Sequence, residues 1–227
     1  MLWIVAPVLA FAAFLLLLLA SLSVPITHSI YLIRLTGHTA IPYLDASATS
    51  AVRFGVWGYC ITAFDLSLGN VHDDTPGFCS PPRLGYKFDS TVQAALNANG
   101  VNVKAMNRSL TALLVLHPIT CGFAFLTLLL SLSVVRRHGA ISRGASFLTF
   151  TVGLFASLLT GFLFTLDVVF VAISMHDVKK NTNGQVTGAF GAVTWMVLAA
   201  ALLLKGALVS TCVTLARTKR KPRGVRY

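Results

Sequence analysis

The sequence contains no glutamate, and only seven aspartates and 11% charged residues in all. A soluble domain carries about 25% charged residues, so an ordinary water-facing surface is excluded. Patterns of the HExxH, GxSxG, P-loop and CxxC types are absent as well. Zinc hydrolysis, serine-elbow acyl transfer, phosphate cradling and dithiol exchange thus lack the residues they need at the spacing they need. The chain reads as non-enzymatic, with no catalytic residue, no cofactor site and no metal site. His72-Asp73-Asp74 is the one string with cation-ligand chemistry. It is followed by Thr75-Pro76-Gly77, and the whole string reads as a turn. Cysteine is scarce too, with four in 227 residues, which excludes a disulfide-dense scaffold.

What remains is apolar: 56% of residues are hydrophobic. They concentrate in four runs. Leu2–Val24 and Leu110–Val135 are uncharged, Ala145–Met175 holds only Asp167, and Val186–Ala216 holds only Lys205. About 20 apolar residues at 1.5 Å each cross roughly 30 Å of hydrocarbon, so all four qualify as transmembrane helices. The organisation follows as helix 1 over 1–24, an outer segment over 25–109, and helix 2 over 110–135. A cytoplasmic loop over 136–144, helix 3 over 145–175, a second outer loop over 176–185, helix 4 over 186–216 and a basic tail over 217–227 complete it. Leu2–Val24 lacks a basic n-region and is longer than the usual apolar core of a signal peptide. A retained anchor is expected rather than a cleaved leader.

The formal charge of +11 is unevenly placed. Arg136, Arg137 and Arg143 lie between runs two and three, and Arg217, Lys219, Arg220, Lys221, Arg223 and Arg226 follow run four. The positive-inside rule places both sets, and both termini, in the cytoplasm. Segment 25–109 is then outside, with six basic against five acidic residues. The tail is a candidate for anionic lipid headgroups. Nothing else in the sequence supports nucleic-acid binding.

Cys60 and Cys79 fall in the outer segment, which matures in an oxidising compartment. Cys121 lies inside helix 2 and Cys212 near the inner end of helix 4, out of reach of the first pair. Cys60–Cys79 is the expected disulfide, with two free thiols as the alternative. Closing a loop of about 20 residues stabilises by roughly 3 kcal/mol in the chain-entropy model. Cys121 reads as a small buried hydrophobe. Cys212, beside basic residues at a membrane edge, is a candidate for palmitoylation. Ala51–Thr62 has strand composition, and Ser23–Leu35 has strand-like stretches. Gly55 and Gly58 around Trp57 permit close backbone approach, and Thr91–Ala98 reads as a short helix.

Four spans, a large first outer loop and the element Gly55-x-Trp57-x-x-Cys60…Cys79 resemble the claudin superfamily. Trp57-Gly58-Tyr59-Cys60 followed by Gly77-Phe78-Cys79-Ser80 is more similar to its fungal branch, the Sur/PalI proteins, with the PalI type favoured. The resemblance covers residues 1 to about 216. It implies an all-α membrane bundle of four transmembrane helices, with a small disulfide-stapled antiparallel sheet in the first extracellular loop. It also implies a non-catalytic plasma-membrane accessory or scaffold. Such a protein supports the localisation or stability of another multi-span membrane protein, in ambient-pH signalling. The alternative is a structural component of a cortical plasma-membrane domain, as in Sur-type members. A channel or transporter is a third reading, which the absence of internal repeats and broken helices disfavours. PalI-type members often carry a long cytoplasmic tail, whereas this sequence ends about eleven residues after run four.

Within the spans, Gly153, Ser157 and Gly161 recur every four residues. This stripe suits close helix packing, with homo- or hetero-oligomer contact as the alternative. Pro118 removes a helical hydrogen bond, and His117 beside it can bond across the bundle. Asp167 and Lys205 are intramembrane charges and hence candidates for function. Asp167 lies about 12 Å inside its outer end at 1.5 Å per residue, while Lys205 snorkels inward, so a direct pair is not expected. Asn107-Arg108-Ser109 is a glycosylation sequon close against helix 2.

Overall fold

An apolar run entering hydrocarbon must satisfy its backbone groups internally, which leaves a helix as its form. The computed structural model, which describes residues 2–41, 46–61, 65–68, 71–74, 77–82, 103–136, 143–182 and 186–220, has four such helices. They are α1 (Leu2–Ser21), α2 (Val103–Arg136), α3 (Arg143–Asn181) and α4 (Ala192–Arg220). Each contains a window long and apolar enough to cross a membrane: Ile4–Ser21, Leu113–Arg136, Phe147–Lys180 and Ala192–Thr214. The protein is a multi-pass membrane protein. Several hydroxyls on these helices bond within their own helix. Thr127 Oγ1 donates to Phe123 O at 2.8 Å, Thr160 Oγ1 to Ala156 O at 2.7 Å and Thr211 Oγ1 to Ala207 O at 2.8 Å. Such back-bonding lets a polar side chain enter an apolar interior.

The chain forms two compact units. One comprises residues 1–18, 118–164 and 196–227; the other comprises 19–117 and 165–195. The first is helical. Its core uses small side chains, among them Ala10, Ala13, Ala124, Ala156 and Ala200, with Leu163 and Leu204 between them. Phe14 meets Phe125 and Phe123 meets Phe155, with ring centroids 5.2 and 4.9 Å apart. Phe147, Leu158, Phe162, Leu202 and Val209 are exposed. Apolar side chains displayed on this scale suit hydrocarbon, not water.

The second unit carries an antiparallel sheet of seven strands. These are β1 (Ile33–Ile41), β2 (Ala46–Phe54), β3 (Tyr59–Ile61), β4 (Asp65–Leu68), β5 (Val71–Asp74), β6 (Phe78–Cys79) and β7 (Val186–Phe190). The main order is β5-β4-β2-β1-β7, and β3 joins β2 to β6. Strand side chains alternate between faces. Ile33, Leu35, Val52 and Phe54 occupy one face and are buried to 2% exposure or less. Arg34, Thr36 and Arg53 fall on the other.

Four sequence expectations change. His72–Asp74, read as part of a turn, lies in β5, paired with Asp65–Ser67 of β4. The chain reverses between Leu68 and Val71 instead. Val186–Phe190, read as the start of helix 4, forms β7 and pairs with Ile33–Gly37. Helix α3 runs on to Asn181, so His176 is helical rather than in a loop. The strand-like reading of Ser23–Leu35 holds only from Ile33, after an isolated bridge between Ser23 and Thr27. The helix expected over Thr91–Ala98 lies outside the described residues, as do the loop arginine Arg137 and tail residues 221–227.

Candidate functional site

A helix leaves its last carbonyls without intrahelical partners. At the end of α1 the Gly55–Cys60 element meets that need. The Trp57 indole N–H donates to Ser21 O. Trp57 N–H donates to Val24 O at 3.3 Å, and Val56 N–H to Ser23 Oγ at 2.8 Å. Gly55 N–H closes the small loop onto Gly58 O at 2.9 Å. The two glycines are there for approach. A Cβ on Gly55 would stand 2.6 Å from Val24 N, and one on Gly58 would strike the Ser80 hydroxyl. The motif is a socket that fastens the sheet to the end of the first span.

The far side of the socket is held by the second cysteine. Cys60 and Cys79 are paired residues of β3 and β6, with Cα atoms 4.1 Å apart, and form a disulfide. Ser80 backs it up. Its Oγ accepts from Tyr59 N–H at 3.1 Å, and its own N–H donates to Tyr59 O at 2.9 Å. A ring nitrogen of His28 and the two sulfurs lie within 4.8 Å of one another. The sulfurs are committed to the disulfide, so one donor remains and no metal site is formed there.

Strand β7 and the start of α4 are tied to the segment that leads into β1. Gly191 N–H donates to Leu32 O at 2.8 Å and Val193 N–H to Tyr31 O at 3.2 Å. Thr182 Oγ1 bonds Val178 O at 2.7 Å and accepts from Val186 N–H at 3.3 Å. Its hydroxyl links the end of α3 to the start of β7. Ser21, Ser23 and Thr182 were not legible as site residues, and Ser80 was legible only as the neighbour of Cys79 in the motif. Their signal is weak: a serine or threonine at the boundary of an apolar run or beside a cysteine.

Of the intramembrane candidates, Asp167 is fully buried and its Oδ2 lies 3.6 Å from His117 Nε2. His117 Nδ1 is 3.1 Å from Leu113 O, which fits an N–H donated to that carbonyl. Nε2 then faces the carboxyl group at a distance just beyond hydrogen-bonding range. Lys205 is exposed. Gly153 sits 3.2 Å, measured from an added Cβ, from Leu208 and 3.3 Å from Thr127, and Ser157 is buried. A Cβ on Gly161 meets nothing within 4 Å. The stripe therefore packs at Gly153 and is open at Gly161. Cys121 is buried and Cys212 exposed. Asn107 falls inside α2.

Comparison with known proteins bears on what this socket belongs to. The family model described as SUR7/PalI family matches residues 2–205. The chain belongs to the SUR7/PalI family. Two relatives carry the name pH-response regulator protein palI/RIM9. The one from Yarrowia lipolytica is 31% identical over 209 residues, covering 91% of this chain and 22% of the relative. That from Pyricularia oryzae is 32% identical over 168 residues, covering 71% of this chain and 19% of the relative. The chain spans about a fifth of the length of these SUR7/PalI relatives. The match takes in all four helices through Lys205, the whole sheet and the disulfide.

Proposed function

We propose that this protein is a non-catalytic accessory of the ambient-pH response at the plasma membrane. It supports the localisation or stability of another multi-span membrane protein. Both termini are cytoplasmic and the sheet is extracellular. The observation that carries this reading is the likeness to two proteins named as pH-response regulators, extending over 91% of the chain in one of them. The socket adds a physical reason. A sheet tied to the first span by Trp57, to the fourth by Gly191 and closed by Cys60–Cys79 presents a fixed surface beside the membrane. A homo-oligomer through Gly161, and anionic lipid at the basic end of α4, belong to the same reading as secondary contacts.

The test is replacement. The chain is expressed in a Yarrowia lipolytica strain lacking its own relative, and the response to a shift of external pH is measured. Restoration by the wild type, and its loss on Cys60→Ser or Trp57→Ala, is expected. A chain that reaches the surface, collects in stable cortical patches and restores nothing would favour the structural Sur-type reading instead.

A further inference from the structure

The register of β1 and β2 places Arg34 directly opposite Arg53. Like charges in that position repel. The row continues through Ala189 on one side and through Cys60 and Cys79 on the other. None of these neighbours is acidic. Asp65 and Asp74 belong to the row of Thr49, four residues from Arg53 along β2, or about 13 Å at 3.3 Å per residue. Among the described residues neither guanidinium makes an ion pair, and the Nε–H of each is buried without a hydrogen-bond partner. Arg53 is nonetheless held in place. Its Nη1 donates to His28 O at 3.3 Å, and its Cζ lies 5.5 Å from the centre of the Tyr31 ring. Two arginines opposite each other on neighbouring strands, with no acidic residue in their row, make a place where an anion is stabilised.

The height of the pair bears on which anion it meets. Span one ends at Ser21 and span four begins at Ala192. Arg34 pairs with Ala189, three residues before that entry, and Arg53 is bonded to His28, seven residues beyond the other exit. Three extended residues cover about 10 Å, the depth of the headgroup layer plus a little. Trp195, 63% exposed in the first turn of α4, fits the aromatic belt that marks this interface. A planar guanidinium fork matches a phosphate bidentately.

We propose that Arg34 and Arg53 form a phosphate-binding site at the membrane surface, on the face of the sheet opposite its buried core. A phospholipid headgroup and dissolved inorganic phosphate share this chemistry. Height favours the headgroup. Its phosphate cancels the repulsion between the two arginines and fastens the sheet to the bilayer at a second point, apart from the Trp57 socket.

The test uses the full chain in a neutral maltoside detergent at constant ionic strength. Melting is followed while phosphatidylcholine, a diacylglycerol with the same acyl chains, or inorganic phosphate against chloride is added. Phosphatidylcholine should raise the melting temperature saturably and diacylglycerol should not. Arg34→Gln and Arg53→Gln should each weaken the apparent phospholipid affinity by about tenfold or more, the loss of a charge-assisted hydrogen bond. A saturable rise with inorganic phosphate, lost in the same variants, supports the site with soluble phosphate as its ligand. Equal stabilisation by diacylglycerol and phospholipid in the wild type, with phosphate no better than chloride, overturns the proposal. So does wild-type phospholipid affinity in the double variant. If that variant fails to form the Cys60–Cys79 disulfide, the wild-type comparison decides alone.

Discussion

Replacing Gly55 by alanine adds one methyl group where two backbones touch. The new Cβ would lie 2.6 Å from Val24 N and 2.7 Å from Val24 Cβ. Ordinary contact begins near 3.4 Å, so the segments must part by about 0.8 Å, a shift typical of overpacking. The Trp57 N–H to Val24 O bond already spans 3.3 Å and would be lost. The Val56 N–H to Ser23 Oγ bond at 2.8 Å would stretch past hydrogen-bonding range. Two lost bonds at about 1 kcal/mol each, with residual crowding of about 1 kcal/mol, give roughly 3 kcal/mol. That is about a hundredfold in an equilibrium constant and about 6–12 °C in melting temperature for a chain of this size. The assay heats purified full chain with a thiol-reactive dye, for which the buried Cys121 reports unfolding. Gly161→Ala is the control, since its added Cβ meets nothing within 4 Å. Its melting temperature should stay within about 1 °C of the wild type. A Gly55→Ala protein melting within about 2 °C of the wild type, or a Gly161→Ala protein falling as far as Gly55→Ala, would refute the socket.

Other expectations follow from the same geometry. Cys60→Ser and Cys79→Ser should each cost about 2–5 kcal/mol, and the double variant no more, read as equal retention in the secretory pathway; free thiols at both positions in mature protein would contradict this. His117→Leu or Asp167→Leu alone should destabilise by about 3–5 kcal/mol, because each strands a buried polar partner, while the double variant recovers part of the loss; additive losses in a double-mutant cycle would show that the 3.6 Å contact carries no coupling. Replacing His28, His38, His72 and His176 by Gln tests whether the segments proposed to be extracellular sense pH themselves, histidine being the residue type that switches charge near neutral pH. Under the support role, surface abundance and the external pH of half-response should both stay put, and a shifted midpoint at equal abundance would make this protein the sensor.

The four spans were legible because each run is long and nearly uncharged, and hydrocarbon leaves such a run one form. The disulfide was legible from compartment and reach, since Cys121 and Cys212 lie in helices. Gly55 and Trp57 were legible as a motif but not as a socket, because the partners are the carbonyls of Ser21 and Val24, and a carbonyl has no letter of its own. Strand β7 was hidden by its composition. Val186–Phe190 is apolar and runs into the fourth span, so hydropathy merged the two. The β4–β5 hairpin was missed because Asp73 and Asp74 favour turns, yet their pairing with Leu66 and Asp65 outweighs that propensity. The His117–Asp167 contact joins residues 50 apart, which no local pattern reveals. Depth would have suggested it: at 1.5 Å per residue His117 lies about 10 Å inside its run and Asp167 about 12 Å. Weighing Asp167 only against Lys205 passed over the nearer partner.

The central claim is that this protein acts by holding another multi-span membrane protein at the cell surface. Its most direct test is co-purification of the tagged chain from gently solubilised plasma membranes, with and without Gly55→Ala, followed by identification of what is retained. The account predicts a stoichiometric multi-span membrane protein with the wild type, reduced with Gly55→Ala in proportion to the loss of surface protein. Cortical coat proteins alone, retained equally by both, would contradict it.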